Sequence, residues 1–196
     1  MKRFTLTILS CSLLGLSGCV TPVGPVEVTR FHAADVSPLG KGAIAVEPAP
    51  GTDGNSIEWQ AYRAAVLRQL VLLGYTEAAA GSGAQVAYVK LSRRTAEPHR
   101  SSPVSVGVGG STGSYGSGVG LGIGLNLSPK PAAQIETDLA VTIRQRATSV
   151  TLWEGRASFA VSAKSPLAAT ALGAPKLSAA LFRDFPGLSG QTIEVR

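Results

Sequence analysis

The sequence is poor in cysteine, histidine, aromatic residues and charge. Two cysteines and two histidines in 196 residues supply no cluster with metal-ligand spacing and exclude a disulfide framework. His32 and His99 lie far apart with no thiol to join them, so each reads as solvated or hydrogen-bonded in place. Charged residues make up only 15% of the chain against 44% hydrophobic, a balance that favours a packed core over disorder. The formal charge of +6 is spread along the chain rather than gathered in a stripe among aromatics, which argues against a nucleic-acid partner. Gly40 and Lys41 lack the spaced glycine and following hydroxyl of a phosphate loop and read as a turn. The run GGSTG at 109–113 matches the pattern around a nucleophilic serine. Ser111 nevertheless has no strand before it and no helix after it, so the match is compositional. Glu136 and Asp138, two residues apart, read as solvated surface charge rather than a catalytic pair. No catalytic residue, metal or organic cofactor is expected, and the chain reads as non-enzymatic.

What is present begins with a targeting segment. Lys2 and Arg3 form a basic head, Phe4 to Leu16 is mostly apolar, and the small residues Ser17 and Gly18 follow, as in a secretory signal. The apolar stretch is too short for a spanning helix, which needs about twenty residues. Leu16, Ser17, Gly18 and Cys19 together resemble the lipobox of bacterial lipoproteins. That resemblance implies removal of residues 1–18, attachment of diacylglycerol to the Cys19 thiol and N-acylation of the new N-terminus. Cys11 goes with the leader, which leaves Cys19 without a disulfide partner. Lys2 and Arg3 go as well, leaving 16 basic against 12 acidic residues, or +4. By analogy with enterobacterial sorting, Val20 in place of an aspartate favours the outer membrane, facing the periplasm. Residues 19–25, with Pro22, Gly24 and Pro25, read as a lipidated, semi-rigid tether.

Residues 26–196 read as a single α+β domain. Val26–His32, Gly42–Pro48 and Ala84–Arg93 are strand-like. Gln134–Arg146 alternates cleanly, with Ile135, Thr137, Leu139, Val141 and Ile143 on one face. A turn at Ala147–Ser149 leads into Val150–Val161, where a phase slip at Gly155 suggests a bulge. A first helix is expected after a cap at Asn55, with Glu58 reaching back to it and Trp59, Tyr62, Val66, Leu70 and Leu73 on one face. Gly74 would close it in a left-handed cap, with Tyr75 packing back on the last turn. A second helical region opens at Ser165 and Pro166. It is expected to break at Gly173–Pro175, leaving Lys176–Asp184 with Leu177, Leu181 and Phe185 inward. The expected fold is an antiparallel β-sheet with two helices packed on one face, a two-layer sandwich.

Several of these residues together resemble the bacterial lipoprotein family called domain of unknown function 4136. They are Phe31, Gly40 and Lys41, then Gly74 and Tyr75, then LWEGR at 152–156, and an ending FPGxxGxT built from Phe185, Pro186, Gly187, Gly190 and Thr192. Gln85 departs from that pattern, where the family often has an aspartate. The resemblance implies an envelope lipoprotein and brings no catalytic residue with it.

A glycine-rich insertion occupies about 101–130. Val104, Val106 and Val108, then Val119, Leu121, Ile123, Leu125 and Leu127, alternate with glycine and serine, which implies extended chain with one aliphatic and one bare face. Gly113–Gly118 would supply the turn. One reading is a flexible or partly disordered hairpin, because glycine weakens strands. A second is a hairpin that packs its aliphatic face on the domain or on a partner copy. A third inserts the hairpin into a membrane as part of an oligomeric secretion or pore component. For that third reading Val119–Leu127 barely reaches the length a spanning strand needs, and the first arm is shorter. Lys90, Arg93, Arg94, His99 and Arg100 form one basic cluster, readable as a charged strand end or as a contact for anionic polymer or lipid. Together these features lead us to expect a membrane-anchored interaction or assembly module whose partner is an envelope protein or polymer, with a homo-oligomer also open.

Overall fold

The computed structural model describes residues 24–97 and 132–196 and the backbone of 104–113 and 116–125. The leader, the lipobox at 16–19 and tether residues 20–23 lie outside the described residues. In chain order the elements are β1 (Val26–His32), β2 (Ala43–Pro48), α1 (Ile57–Leu72), β3 (Thr76–Glu77), β4 (Gln85–Ala96), β5 (Val104–Gly113), β6 (Gly116–Leu125), β7 (Gln134–Gln145), β8 (Thr151–Ser162), α2 (Thr170–Phe182) and β9 (Thr192–Val195). A 3-10 turn at Pro166–Ala168 precedes α2.

Seven strands form one sheet in the order β3-β2-β4-β7-β8-β1-β9, and β5 pairs with β6 in a separate ribbon. The fold is α+β, but the sheet is mixed, which corrects the expected antiparallel one. β2 runs parallel to both β3 and β4. The reason is the connection: α1 follows β2 and carries the chain back, so the next strands start from the end where β2 started.

Period-two alternation gives the sheet one apolar face. Ile44 and Val46, Ala87 and Val89, Leu139, Val141 and Ile143, Trp153, Ala157, Phe159 and Val161, and Val26 and Val28 enter a single core with the helices. α1 brings Trp59, Tyr62, Val66 and Leu70 to that core as its spacing predicts, and α2 brings Leu177 and Leu181. The cap of α1 is Ser56, whose hydroxyl accepts from the Trp59 amide at 3.5 Å, one residue later than expected. Glu58 is therefore free of capping and its Oε1 accepts instead from Arg93 and from Thr170. At the other end Gly74 has φ +104°, the Tyr75 amide donates to Leu70 O at 3.2 Å, and Tyr75 is buried, as expected.

Two glycine-based expectations require correction. The register slip between β7 and β8 lies where Ile143 pairs with Trp153 and Arg144 with Thr151, so the extra residue is Leu152 rather than one at Gly155. Gly155 serves another purpose. A Cβ there would lie 2.2 Å from the ring of Trp153 and 2.9 Å from Leu181, so only a bare α-carbon lets the indole pack over β8. The second helix does not break at Gly173–Pro175 but runs through Pro175 and ends at Phe182. Gly173 and Ala174 are buried, and a Cβ on Gly173 would meet Leu167 O at 2.8 Å. Packing against the 3-10 turn thus outweighs the cost of proline in a helix.

The chain ending, for which no strand was anticipated, folds back as β9 beside β1. Arg30, only 4% exposed, donates from Nε to Leu181 O at 3.0 Å and from Nη2 to Ala180 O at 3.2 Å. It thereby satisfies carbonyls at the negative end of α2. Burial lowers its pKa, opposed by Asp184 nearby. Trp153 donates to Pro186 O at 3.0 Å and packs against Phe182 and Phe185 with ring centroids 5.3 and 5.2 Å away.

Two outcomes follow. Gly155→Ala is expected to lower stability by about 1–3 kcal/mol through overpacking, read as a fall in the denaturant midpoint; an unchanged midpoint would contradict the contact with Trp153. The second concerns Glu47. Burial works to raise its carboxyl, but the Gly81 amide at 2.9 Å and Arg146 at 2.6 Å more than offset this, and its pKa lies below the ordinary value. Its stabilisation is present above the unfolded-state pKa and is lost as pH falls through the lower folded value. Glu47→Gln should be less stable at neutral pH and less sensitive to acid, measured by melts over a pH series. A variant whose acid profile parallels the parent would refute this.

Candidate functional site

The second face of the sheet carries the polar half of each alternating strand. The register lines up Tyr88, Thr142, Glu154 and Phe31 as one transverse row and Lys90, Ala140, Arg156 and Thr29 as the next. A third row holds Ser92, Asp138, Ser158 and Glu27, and a fourth Arg94, Glu136 and Ala160. Short side chains at Ala140, Ser158 and Ala160 fall in the middle, with longer ones at the margins. The result is a depression of about 610 Å³ lined entirely by strand residues, Phe31 among them at 54% exposed. A cationic row, Lys90 and Arg156, runs beside an anionic one, Asp138 and Glu27. Arg156 also pairs with Glu154 at 3.0 Å, and Arg94 pairs with Glu136. Such a surface offers charges of both signs and hydroxyls for contact. As expected, Glu136 and Asp138 lie on this outer face.

The expected basic cluster is split by the pleat. Lys90 and Arg94 belong to the second face, whereas Arg93 points to the other side, where it donates to Glu58 at 2.5 Å, to Thr170 at 3.0 Å and to Ala168 O. His99 and Arg100 lie outside the described residues. His32 is hydrogen-bonded in place, its Nδ1 2.7 Å from Ala33 O. Gly40 has φ +74° in the turn expected of it. Among the described residues no three His, Cys, Asp or Glu side chains are grouped to hold a metal, and no helix is long and apolar enough to cross a membrane.

The insertion forms a regular antiparallel ribbon with ten residues in each strand. Its first arm is therefore as long as the second, which corrects the expectation of a shorter one. The register pairs Val104 with Leu125, Val106 with Ile123, Val108 with Leu121 and Gly110 with Val119. These positions share one face. The alternate pairs, Ser105 with Gly124, Gly107 with Gly122, Gly109 with Gly120 and Ser111 with Gly118, share the other. Ser111 thus sits within a strand that leads to another strand, not to a helix. The ribbon extends the β4–β7 pair, which ends at Ala96 opposite Gln134.

Sequence reasoning found the ribbon residues and the second face of β7, but passed over Arg30. The glycines of the FPGxxGxT ending were the available signal: Gly187 has φ +80°, and a Cβ there would come within 2.7 Å of Arg30 Nη1.

No family model matches the sequence, and no curated protein matches it. Among solved structures the chain is similar to a PDZ domain protein from Parabacteroides distasonis, with 11% identity and a TM-score of 0.50. That match covers 88% of this chain and 39% of the other, so the chain spans well under half of that protein's length. Two PelC dodecamer structures from Paraburkholderia phytofirmans match over 79% of this chain and 95% or 92% of theirs, at 10% or 11% identity and TM-scores of 0.42 and 0.43. At these identities the likeness concerns the fold alone.

The split of the basic cluster has a measurable consequence. Arg93→Met should cost about 2 kcal/mol, because it strips charge-assisted hydrogen bonds from Glu58 and the Ala168 carbonyl, whereas Arg94→Met should stay within about 0.5 kcal/mol. Equal losses in urea titrations would contradict the assignment of the two arginines to opposite faces.

Proposed function

We propose that this chain is a lipid-anchored envelope protein, held by acyl chains on Cys19 and working as a non-catalytic interaction or assembly module. The observation that carries the reading is the lipobox Leu16, Ser17, Gly18 and Cys19 behind a basic head and an apolar stretch. The resemblance of FPGxxGxT and LWEGR to the lipoprotein family supports the same assignment. Ordered structure begins close behind the anchor, since β1 starts at Val26; residues 20–25 keep the domain within about 24 Å of the lipid. Three acyl chains give a stable anchor where one is marginal, at about 0.8 kcal/mol per buried methylene. Val20 directs the protein to the outer membrane on its periplasmic side. The body is a two-layer α+β sandwich with the helices on the apolar face. The second face, with its mixed charge rows and Phe31, is the surface offered to an envelope protein or polymer.

Mass spectrometry of the mature N-terminus should find Cys19 carrying diacylglycerol and an N-linked acyl chain, with residues 1–18 absent. An unmodified thiol or an intact leader would overturn the reading.

A further inference from the structure

The lipid tether and the ribbon leave the domain at the same end. β1 runs inward from Pro25, and its first residues stand level with Ser92 and Asp138, because Glu27 pairs with Ser158 and Ser158 with Asp138. The next row out, Arg94 and Glu136, borders Pro25 around a small shared hollow. One step further, at Ala96 and Gln134, β4 gives way to the insertion and β7 receives the chain from it. A domain tethered through residues 19–25 therefore presents its ribbon root to whatever surface holds the tether.

The ribbon has the chemistry of a membrane-crossing strand pair. No charged residue occurs from Ser101 to Pro129, and the first charges beyond are Arg100 and Lys130, one at each root. Cationic residues suit an anionic lipid surface. A ten-residue strand rises about 30 Å and, tilted by roughly 40°, covers about 24 Å, close to the apolar band of an outer-membrane barrel. The aliphatic rows Val104/Leu125, Val106/Ile123, Val108/Leu121 and Gly110/Val119 lie nearest the root, and the opposite face is glycine and serine throughout. An apolar face toward lipid and a small, uncharged face toward a lumen is the two-sided pattern of such barrels.

A lone ribbon cannot cross a bilayer, because each strand leaves a row of amide and carbonyl groups unmet along its outer edge. Among the described residues neither β5 nor β6 has a second strand partner. Neither strand contains the proline or lysine with which edge strands avoid pairing. The partner that satisfies both edges in one repeated geometry is another copy of the same ribbon, β6 of one chain beside β5 of the next, closing a ring. We infer that the ribbons of several copies of this chain pair edge to edge into a β-barrel that crosses the membrane holding the lipid anchor. The inference rests on the anchored reading for its membrane but adds an embedding element independent of lipid.

The two are separable in cells. A chain carrying Cys19→Ala, exported behind a cleavable signal, is expected to stay in the membrane pellet after alkaline washing and to give a ladder of multimers on formaldehyde crosslinking. Replacing 98–131 by a short turn should release it into the wash, while the same replacement in a chain that keeps Cys19 should leave it pelleted by lipid. Val106→Asp with Ile123→Asp, a cross-strand pair on the aliphatic face, should reduce pelleting by about tenfold or more, since a charge at mid-membrane costs about 2 kcal/mol or more. Gly109→Ser with Gly120→Ser, on the other face, should leave it unchanged. Tryptophan fluorescence of Trp59 and Trp153 checks that the domain is folded in each variant. Full release of the Cys19→Ala chain, pelleting that persists without 98–131, equal effects of the two double substitutions, or a crosslinked species no larger than one chain would each overturn the inference. Loss of the Cys19-retaining, ribbon-less chain from the pellet counts instead against the lipid anchor.

Discussion

The indole of Trp153 occupies space that any side chain on Gly155 would claim, and the C-terminal part of the protein is assembled on that contact. Its ring stacks on Phe182 at the end of α2 and on Phe185 beyond it, and its N–H holds the Pro186 carbonyl. Arg30, paired opposite Gly155 in the sheet, reaches the last carbonyls of the same helix. A sheet, a helix terminus and the chain ending are thus joined by one aromatic ring and one guanidinium. Both are buried, so neither tolerates a smaller or uncharged substitute without leaving a void or unmet carbonyls.

The legible part of the fold was the part governed by local periodicity. β7 alternates so cleanly that its inward and outward residues follow from the sequence, and the spacing of Trp59, Tyr62, Val66 and Leu70 places them on one face of α1. Where position depended on distant partners the reading failed. Gly155 looks like a bulge in a one-dimensional pattern, yet its reason is a ring two residues away and Leu181 on another element. Pro175 looks like a helix breaker, yet burial of Gly173 and Ala174 carries the helix past it. The parallel β2–β4 pairing was within reach, because a strand, a long helix and a strand in succession imply a crossover. β9 was not, since four residues beside β1 carry no pattern of their own.

The candidate surfaces were legible to different degrees. The aliphatic and glycine positions of the insertion were visible as alternation, while their sorting onto two clean faces required the register between the arms. The mixed-charge face depended wholly on which strands are neighbours, so Lys90, Arg156 and Glu27, far apart along the chain, could not have been grouped. Conversely, Arg93 and Arg94 are adjacent in sequence and yet serve different purposes, one tying β4 to both helices and the other pairing across the outer face.

The placement of the ribbon between two strands that are already neighbours bears on how the protein folds. Bringing Ala96 opposite Gln134 closes a long loop, an entropic cost that grows with the logarithm of loop length. When β5 and β6 zip first, starting from their tight turn, the two roots arrive together and the effective loop shrinks to the short connections on either side. The insertion then acts as a local nucleus for the central strand pair, so a segment with no share in the hydrophobic core accelerates assembly of the sheet without altering its final stability.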